Sequence, residues 1–191
     1  MLRLASDSVA FARLRRAGLR YLFLMRIFAI AALAVAFSLG ISAQGPEPLR
    51  NDTMHLTVNT SISGTAVKAG DKLSITFDIT PKRNMHVYAP GKHDYQVIAV
   101  KIDPQPWLKV APTTYPPSEI YYFKELDEKV ETYGHPFKLV QDMTILNTAA
   151  AKKALSAGPI KLSGKLEYQA CDDKVCYAPS RIPVTFDLTV K

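Results

Sequence analysis

The segment LSITFDI, residues 73–79, places an apolar side chain at every second position. These apolar residues alternate with Ser74, Thr76 and Asp78, a period of two that is typical of a half-buried β-strand. An amphipathic helix would instead repeat its apolar residues at intervals of three and four. The segment therefore predicts a strand with one face in a core and the other toward water.

The same alternation recurs near the carboxyl end, at Ile160, Leu162, Leu166 and Tyr168 and again at Val184, Phe186, Leu188 and Val190. Further strand candidates cover residues 56–62, 85–88, 97–102, 129–133 and 137–146. Gly, Pro, Asn or Asp separates most of them. Many short strands with turn signals between them favour an all-β antiparallel sandwich over a parallel α/β sheet.

One helical segment interrupts the strands. The stretch TAAAKKALSA, residues 148–157, is rich in Ala and Lys, and either Asn147 or Thr148 can cap its start. Gly158 and Pro159 follow it as termination signals. We expect a short helix that connects two strands.

The formal charge of +7 is concentrated at the amino terminus. The residues before Gln44 include six arginines and one acid, and so carry +5 of that charge. The remaining +2 is too small for the basic footprint of a nucleic-acid-binding protein. We therefore expect no nucleic-acid partner.

Residues 1–43 have the order of a secretory signal peptide: a basic stretch, the apolar run 27–39 and small residues at the end. We expect cleavage after this segment, with residues 1–24 as an upstream extension if translation starts at Met25. A retained membrane-spanning helix is the alternative, because the apolar stretch counted from Leu22 approaches the roughly 20 residues that a bilayer requires. Cleavage predicts a periplasmic protein without stable membrane insertion.

Residues 44–52 contain two prolines and no periodic pattern, which predicts a linker before a domain over residues 53–191. The composition, 48% hydrophobic and 21% charged, is ordinary for a globular protein. A mature chain of about 148 residues buries roughly 68–70% of its unfolded surface, so its core does not depend on a cross-link.

The two cysteines, Cys171 and Cys176, lie in the segment YQACDDKVCYAP, residues 168–179. Both fall in the part expected to be exported, where disulfides form and persist. Because the segment lies between two predicted strands, we expect an intrachain disulfide at a hairpin tip, with Cα atoms about 5.5–6 Å apart.

Three roles are open to this pair: a structural clip, a redox-active disulfide, and half of a metal site. A disulfide that closes so short a loop contributes only about 2 kcal/mol to the free energy of unfolding. For a redox-active disulfide, an exposed hairpin tip gives an attacking thiol access to the sulfurs. Asp172 and Asp173 disfavour a thiolate at Cys171, which favours Cys176 as the attacking thiol. No histidine lies nearby in sequence to complete a tetrahedral site, so we expect no metal. These residues alone do not distinguish a structural clip from a redox-active disulfide.

The segment YQACDDKVCYAP resembles the active-site hairpin of the amino-terminal domain of the DsbD-type thiol:disulfide interchange proteins. The similarity includes Tyr-Gln before the first cysteine and Tyr-x-Pro after the second. Upstream, MHVYAP, residues 85–90, resembles the aromatic strand segment beside that family's disulfide. EIYYFKELDEKVETYGHPF, residues 119–137, resembles its cap-loop region and the strands that follow.

The resemblance implies an immunoglobulin-like sandwich with protein-disulfide reductase activity and no metal or organic cofactor. Such a domain takes reducing equivalents from a thioredoxin-like donor and passes them to exported thioredoxin-fold acceptors, which include cytochrome c maturation factors. By position, Cys176 would form the mixed disulfide with the partner and Cys171 would resolve it.

Phe123, with Tyr122 beside it, falls where the family has an aromatic cap that shields the cysteines. His86 and Tyr88 fall at the positions of two neighbours of the pair. Simpler interpretations are core packing for the aromatic residues and a surface strand position for His86. The polar, proline-preceded stretch around Phe123 indicates a loop.

Two features differ from the family pattern. Four residues separate the cysteines, one fewer than in its best-known members, and no membrane or thioredoxin domain follows within the 191 residues. We therefore expect the electron donor to be a separate, membrane-associated polypeptide. The rival function is a non-enzymatic binding or chaperone-like β-sandwich module with a structural disulfide, because sandwich folds host many functions.

Overall fold

The computed structural model describes residues 47–124 and 127–191. The signal peptide expected over residues 1–43, with its upstream extension 1–24, lies outside the described residues. Within the described ranges the chain forms thirteen strands and one short helix.

The strands are β1 (Leu49–Asp52), β2 (Leu56–Ile62), β3 (Ala66–Val67), β4 (Lys72–Pro81), β5 (His86–Tyr88), β6 (Ala99–Ile102), β7 (Leu108–Val110), β8 (Glu119–Phe123), β9 (Glu128–Tyr133), β10 (Phe137–Ile145), β11 (Ile160–Tyr168), β12 (Ala170–Cys171) and β13 (Ser180–Val190). The helix, α1 (Ala149–Leu155), lies between β10 and β11.

The strands form three sheets. A five-stranded sheet has the order β1-β2-β4-β10-β7, and a four-stranded sheet has the order β3-β13-β11-β6. A smaller sheet of order β12-β5-β9-β8 carries the first cysteine. In the part of the chain that the structure describes, the ladders between named strands are antiparallel except the short one between β3 and β13.

The two larger sheets share one buried core and so form a sandwich. Phe77 and Leu139 come from the five-stranded sheet, Leu162 and Leu188 come from the other, and all four belong to one buried cluster. The alternation in β4 and β13 creates this arrangement, since every second residue of each strand is buried. Burial of each large apolar side chain contributes about 1.5–3 kcal/mol. The predicted antiparallel β-sandwich with one short helix is confirmed.

The helix begins and ends where its capping residues predict. Thr148 is the N-cap, and its hydroxyl accepts a hydrogen bond from the Ala151 backbone N–H at 3.1 Å. Beyond the end of the helix, Gly158 has a φ of +120°, which glycine adopts without strain. The helix connects strands of the two larger sheets. No helix within residues 47–124 and 127–191 has the length and apolar character needed to cross a bilayer.

Two expectations from the sequence differ from the structure. The linker predicted over residues 44–52 ends in β1, which pairs with β2, so the sheet begins at Leu49. The loop predicted around Phe123 is β8, an edge strand of the smallest sheet. Both are edge strands with mostly exposed side chains, so neither shows the apolar alternation that marks a half-buried strand.

Candidate active site

The two cysteines form a disulfide at the connection between β11 and β13. Tyr168 and Ser180 are the last paired residues of that hairpin, and the cysteines lie in the excursion between them. Their Cα atoms are 4.1 Å apart, closer than the expected spacing. The predicted intrachain disulfide at a hairpin tip is confirmed.

The two cysteines differ in their exposure to solvent. Cys171 ends β12 and is completely buried, whereas Cys176 is exposed. An incoming thiol or disulfide can therefore reach Cys176 and not Cys171. This asymmetry agrees with the charge argument, which favours Cys176 as the attacking thiol.

The carboxylate of Asp172 fixes the conformation of the tip. Its Oδ1 accepts the backbone N–H groups of Lys174 and Val175, both at 2.8 Å, and its Oδ2 accepts the Tyr177 hydroxyl at 2.9 Å. These hydrogen bonds, the two from the backbone first, hold the pKa of Asp172 below its ordinary value. The exposed cysteine therefore sits on an ordered loop.

Tyr88 contacts both sulfur atoms. Its hydroxyl lies 3.1 Å from Cys171 Sγ and 3.2 Å from Cys176 Sγ, and since disulfide sulfurs carry no hydrogen, the tyrosine is the donor. Burial, helped by the nearby Tyr95 and Glu128, raises the pKa of Tyr88 well above its ordinary value, so the hydroxyl keeps its proton. The ring of Tyr88 stacks on Tyr95 with centroids 4.3 Å apart.

Tyr88→Phe should slow the reaction of the reduced pair without unfolding the domain. In the reduced protein the hydroxyl can donate to a thiolate, and a hydrogen bond to a charged group is worth about 1.5–3 kcal/mol. We expect the rate of iodoacetamide alkylation of Cys176 at pH 7 to fall about tenfold, because less thiolate is present. An alkylation rate and pH dependence equal to those of the wild type would show that Tyr88 serves packing alone.

Phe123 and Tyr121 reach the disulfide from β8. Phe123 is 8% exposed and belongs to a small buried cluster with Cys171, Tyr88 and Val130, against which Tyr95 and Tyr121 also pack. We call these six residues the site cluster. It is separate from the core of the sandwich, so the disulfide has its own aromatic enclosure.

Tyr122 does not belong to the site cluster. Successive residues of a strand point to opposite faces, so Tyr122 faces away from its neighbours Tyr121 and Phe123. Its side chain is 49% exposed, and its hydroxyl donates to Asp127 at 2.8 Å. The structure therefore places Tyr121 beside the predicted cap residue Phe123. The Tyr121 hydroxyl donates a hydrogen bond to Asp173 at 2.7 Å.

His86 lies directly opposite Cys171 in the β5–β12 ladder. Its ring is 4% exposed and stacks on Tyr121 with centroids 4.3 Å apart. The Nε2 atom is buried and has no hydrogen-bond partner. Burial lowers the pKa of His86 below its ordinary value, and the carboxylates of Asp173 and Asp172 partly oppose that effect. His86 is thus a buried strand residue, and the surface position considered from the sequence is wrong.

The structure brings five of the six predicted site residues together: Cys171, Cys176, Tyr88, His86 and Phe123. Sequence reasoning missed Tyr121 and Tyr95. The spacing of two residues between Tyr121 and Phe123 could have predicted that both side chains lie on the same face of a strand. Tyr95 lies in an irregular segment without periodicity, so no such pattern indicates it. Among the described residues, no group of three His, Cys, Asp or Glu side chains is placed to hold a metal ion.

This chain is similar to one known protein family and to solved structures at low sequence identity. No curated protein sequence matches it. The N-terminal periplasmic domain of ScsB from Proteus mirabilis is 12% identical with a TM-score of 0.47, over 74% of this chain and 49% of that one. The GAE domain of GGA2p from Saccharomyces cerevisiae is 14% identical with a TM-score of 0.37, over 74% of this chain and 96% of that one.

The chain thus spans about half the length of the ScsB domain. The family described as "Thiol:disulfide interchange protein DsbD, N-terminal" matches residues 55–187. That match includes all three segments on which the resemblance rests, from MHVYAP to YQACDDKVCYAP. This chain belongs to the family of DsbD amino-terminal domains.

Proposed function

We propose that this domain passes reducing equivalents between thioredoxin-like proteins through the Cys171–Cys176 disulfide. The observation that carries the proposal is the asymmetry of the pair: an exposed Cys176 bonded to a fully buried Cys171, with the Tyr88 hydroxyl in contact with both sulfurs. The geometry suits an exchange reaction in which only one sulfur meets the partner.

In the reduced domain, the thiolate of Cys176 attacks one sulfur of a partner disulfide, and the partner's other sulfur leaves and takes up a proton. The thiolate of Cys171 then attacks Cys176 Sγ and releases the first partner sulfur. The pair is oxidised to a disulfide and the partner disulfide is reduced to two thiols. A thioredoxin-like donor restores the reduced pair by the reverse sequence, starting with attack on Cys176.

The exposed hairpin tip around Cys176 is the surface that a protein partner would contact. Val175, next to the exposed cysteine, is 52% exposed. We propose that thioredoxin-fold partners dock at this tip, in the periplasm. A groove of about 230 Å³ is lined by Asp173 of the tip, Tyr121 and His86 among others.

Phe123 acts as the cap in this proposal. Its ring belongs to the same buried cluster as Cys171 and Tyr88, and it stands at the end of edge strand β8. The ring covers the Cys171 side of the disulfide, so small oxidants and thiols react with the pair more slowly than they would without it, and a partner that displaces the ring removes this protection.

Trapping a mixed disulfide tests the proposal. The Cys171→Ser variant, mixed with an oxidised thioredoxin-fold protein that has a Cys-x-x-Cys site, should accumulate a covalent complex that dithiothreitol dissolves. The matched Cys176→Ser variant should form none, because its remaining thiol is buried. A complex with neither variant, or with both to the same extent, would contradict the proposal.

A further inference from the structure

Resolution of the mixed disulfide needs the thiolate of Cys171, and its surroundings oppose that charge. Cys171 is completely buried, and burial disfavours a thiolate. Asp172 and Asp173, which follow it directly, add like charge. Some group beside Cys171 therefore has to take its proton when the resolving step begins.

The carboxylates near the pair already have partners. Asp172 accepts two backbone N–H groups and one hydroxyl, Asp173 accepts a tyrosine hydroxyl at 2.7 Å, and Glu128 accepts another at 2.7 Å. Tyr88 is a proton donor toward the sulfurs. None of these four side chains has a buried acceptor atom without a hydrogen-bond partner.

His86 lies opposite Cys171 and has a ring nitrogen without a hydrogen-bond partner, as this role requires. It is the Cα partner of Cys171 in an antiparallel ladder, so both side chains leave the sheet on the same face, with Cβ atoms about 4.5–5.5 Å apart. Its Nε2 is buried without a hydrogen-bond partner in the disulfide form. Reduction of the disulfide would create a buried thiol donor on the cross-strand neighbour of this histidine.

We propose that His86 is the proton acceptor that activates Cys171 in the resolving step, an inference that rests on the proposed exchange function. Nε2 takes the thiol proton, and the Cys171 thiolate attacks Cys176 Sγ. The bond between Cys176 and the partner sulfur breaks, and that sulfur leaves with the electron pair and takes up a proton. The cysteine pair loses two electrons and the partner gains them.

The surroundings of His86 keep its ring neutral at physiological pH. Burial is the largest influence and lowers its pKa, against the smaller opposing effect of the two aspartates. A neutral imidazole is present above that pKa and is lost as the pH falls through it. The titratable groups around the ring are Tyr88 on its own strand, Tyr121 on β8, Cys171, Asp172 and Asp173 at the tip, and Glu119 and His135 along the groove.

Ellman's reagent separates the two steps in one experiment. The reduced protein releases a first thionitrobenzoate when Cys176 attacks the reagent, and a second when Cys171 attacks the resulting mixed disulfide. Because thionitrobenzoate is a good leaving group, the second phase reports the activation and attack of Cys171. Stopped-flow absorbance would record both phases from pH 5.5 to 9 for wild type, His86→Phe, His86→Gln and His135→Gln.

In the His86 variants we expect the rate of the first phase to change less than about twofold. The rate of the second phase at pH 7 should fall about 100-fold, which lies in the range that general base catalysis contributes. The second phase of the wild type should be nearly flat above the pKa of His86. In both variants it should rise about tenfold per pH unit, because hydroxide replaces the lost base. His86→Phe preserves the aromatic stacking on Tyr121, whereas His86→Gln preserves a polar side chain. If one of these variants fails to fold, the other still tests the role of His86.

His135 is the matched control, since it is an exposed histidine on the same groove that pairs with Glu119 at 2.7 Å. His135→Gln should behave as the wild type. A second phase with wild-type rate and pH profile in either folded His86 variant would overturn the role of His86. Release of only one thionitrobenzoate by the wild type would instead overturn the exchange function itself.

Discussion

Cys176→Ser should abolish the reduction of partner disulfides, with a rate below about one-thousandth of the wild-type value, or ~4 kcal/mol in activation free energy. The reason is geometric, because Cys176 is the cysteine that is exposed to solvent and partners, while Cys171 is completely buried. The measurement is the rate at which the chemically reduced domain reduces an oxidised thioredoxin-fold protein, followed by alkylation and mass analysis.

Cys171→Ser is the matched control for this loss. It keeps the exposed thiol, so the first attack should proceed near the wild-type rate and then stop at the mixed disulfide. If Cys176→Ser reduced the partner at the normal rate, the assignment of the attacking cysteine would be wrong. If the two variants were equally inactive in the first attack, access to the sulfur would not determine their roles.

Phe123→Ala should make the disulfide more reactive toward small thiols. The phenyl ring is 8% exposed and packs in the site cluster with Cys171 and Tyr88, so its removal opens one wall of the enclosure. We expect dithiothreitol to reduce the oxidised variant about tenfold faster, equal to ~1.4 kcal/mol of lost shielding. Quenched alkylation over time measures this rate, and circular dichroism confirms that the variant stays folded.

Tyr122→Ala provides the control, since this neighbour lies on the opposite face of β8 and is 49% exposed. Its rate of reduction should match that of the wild type. Equal acceleration in both variants would mean that loosening β8, rather than loss of the phenyl cap, exposes the sulfurs. An unchanged rate in Phe123→Ala would count against the cap.

The sandwich could be predicted from the sequence wherever a strand buries one face. The alternation over residues 56–62 and 73–79 corresponds to β2 and β4, whose buried and partly exposed residues alternate in the same way. By contrast, β1 lies at a sheet edge and has no buried face, and β3 and β12 have two residues each, too few to show any period. Edge and very short strands are defined by their partners rather than by their own pattern.

The candidate site was predictable to a similar degree. The cysteines were evident from the sequence itself, His86, Tyr88 and Phe123 followed from the resemblance, and the structure brings all five together. The choice between Tyr121 and Tyr122 needed the pleat of β8, because a shift of one residue along a strand moves a side chain to the other face. The unpartnered nitrogen of His86 was not predictable, since it depends on the packing of β5, β8 and the cysteine hairpin.

We propose that the Cys171–Cys176 disulfide is exchanged and is not a structural clip. The most direct test is its equilibrium reduction potential in the folded domain, measured with a dithiothreitol or glutathione redox series and thiol alkylation. We predict a value well above about −300 mV, with the fold intact after reduction, because the sandwich core does not include the cysteines. A potential below that value, or unfolding of the domain on reduction, would contradict the claim and favour a binding module with a structural disulfide.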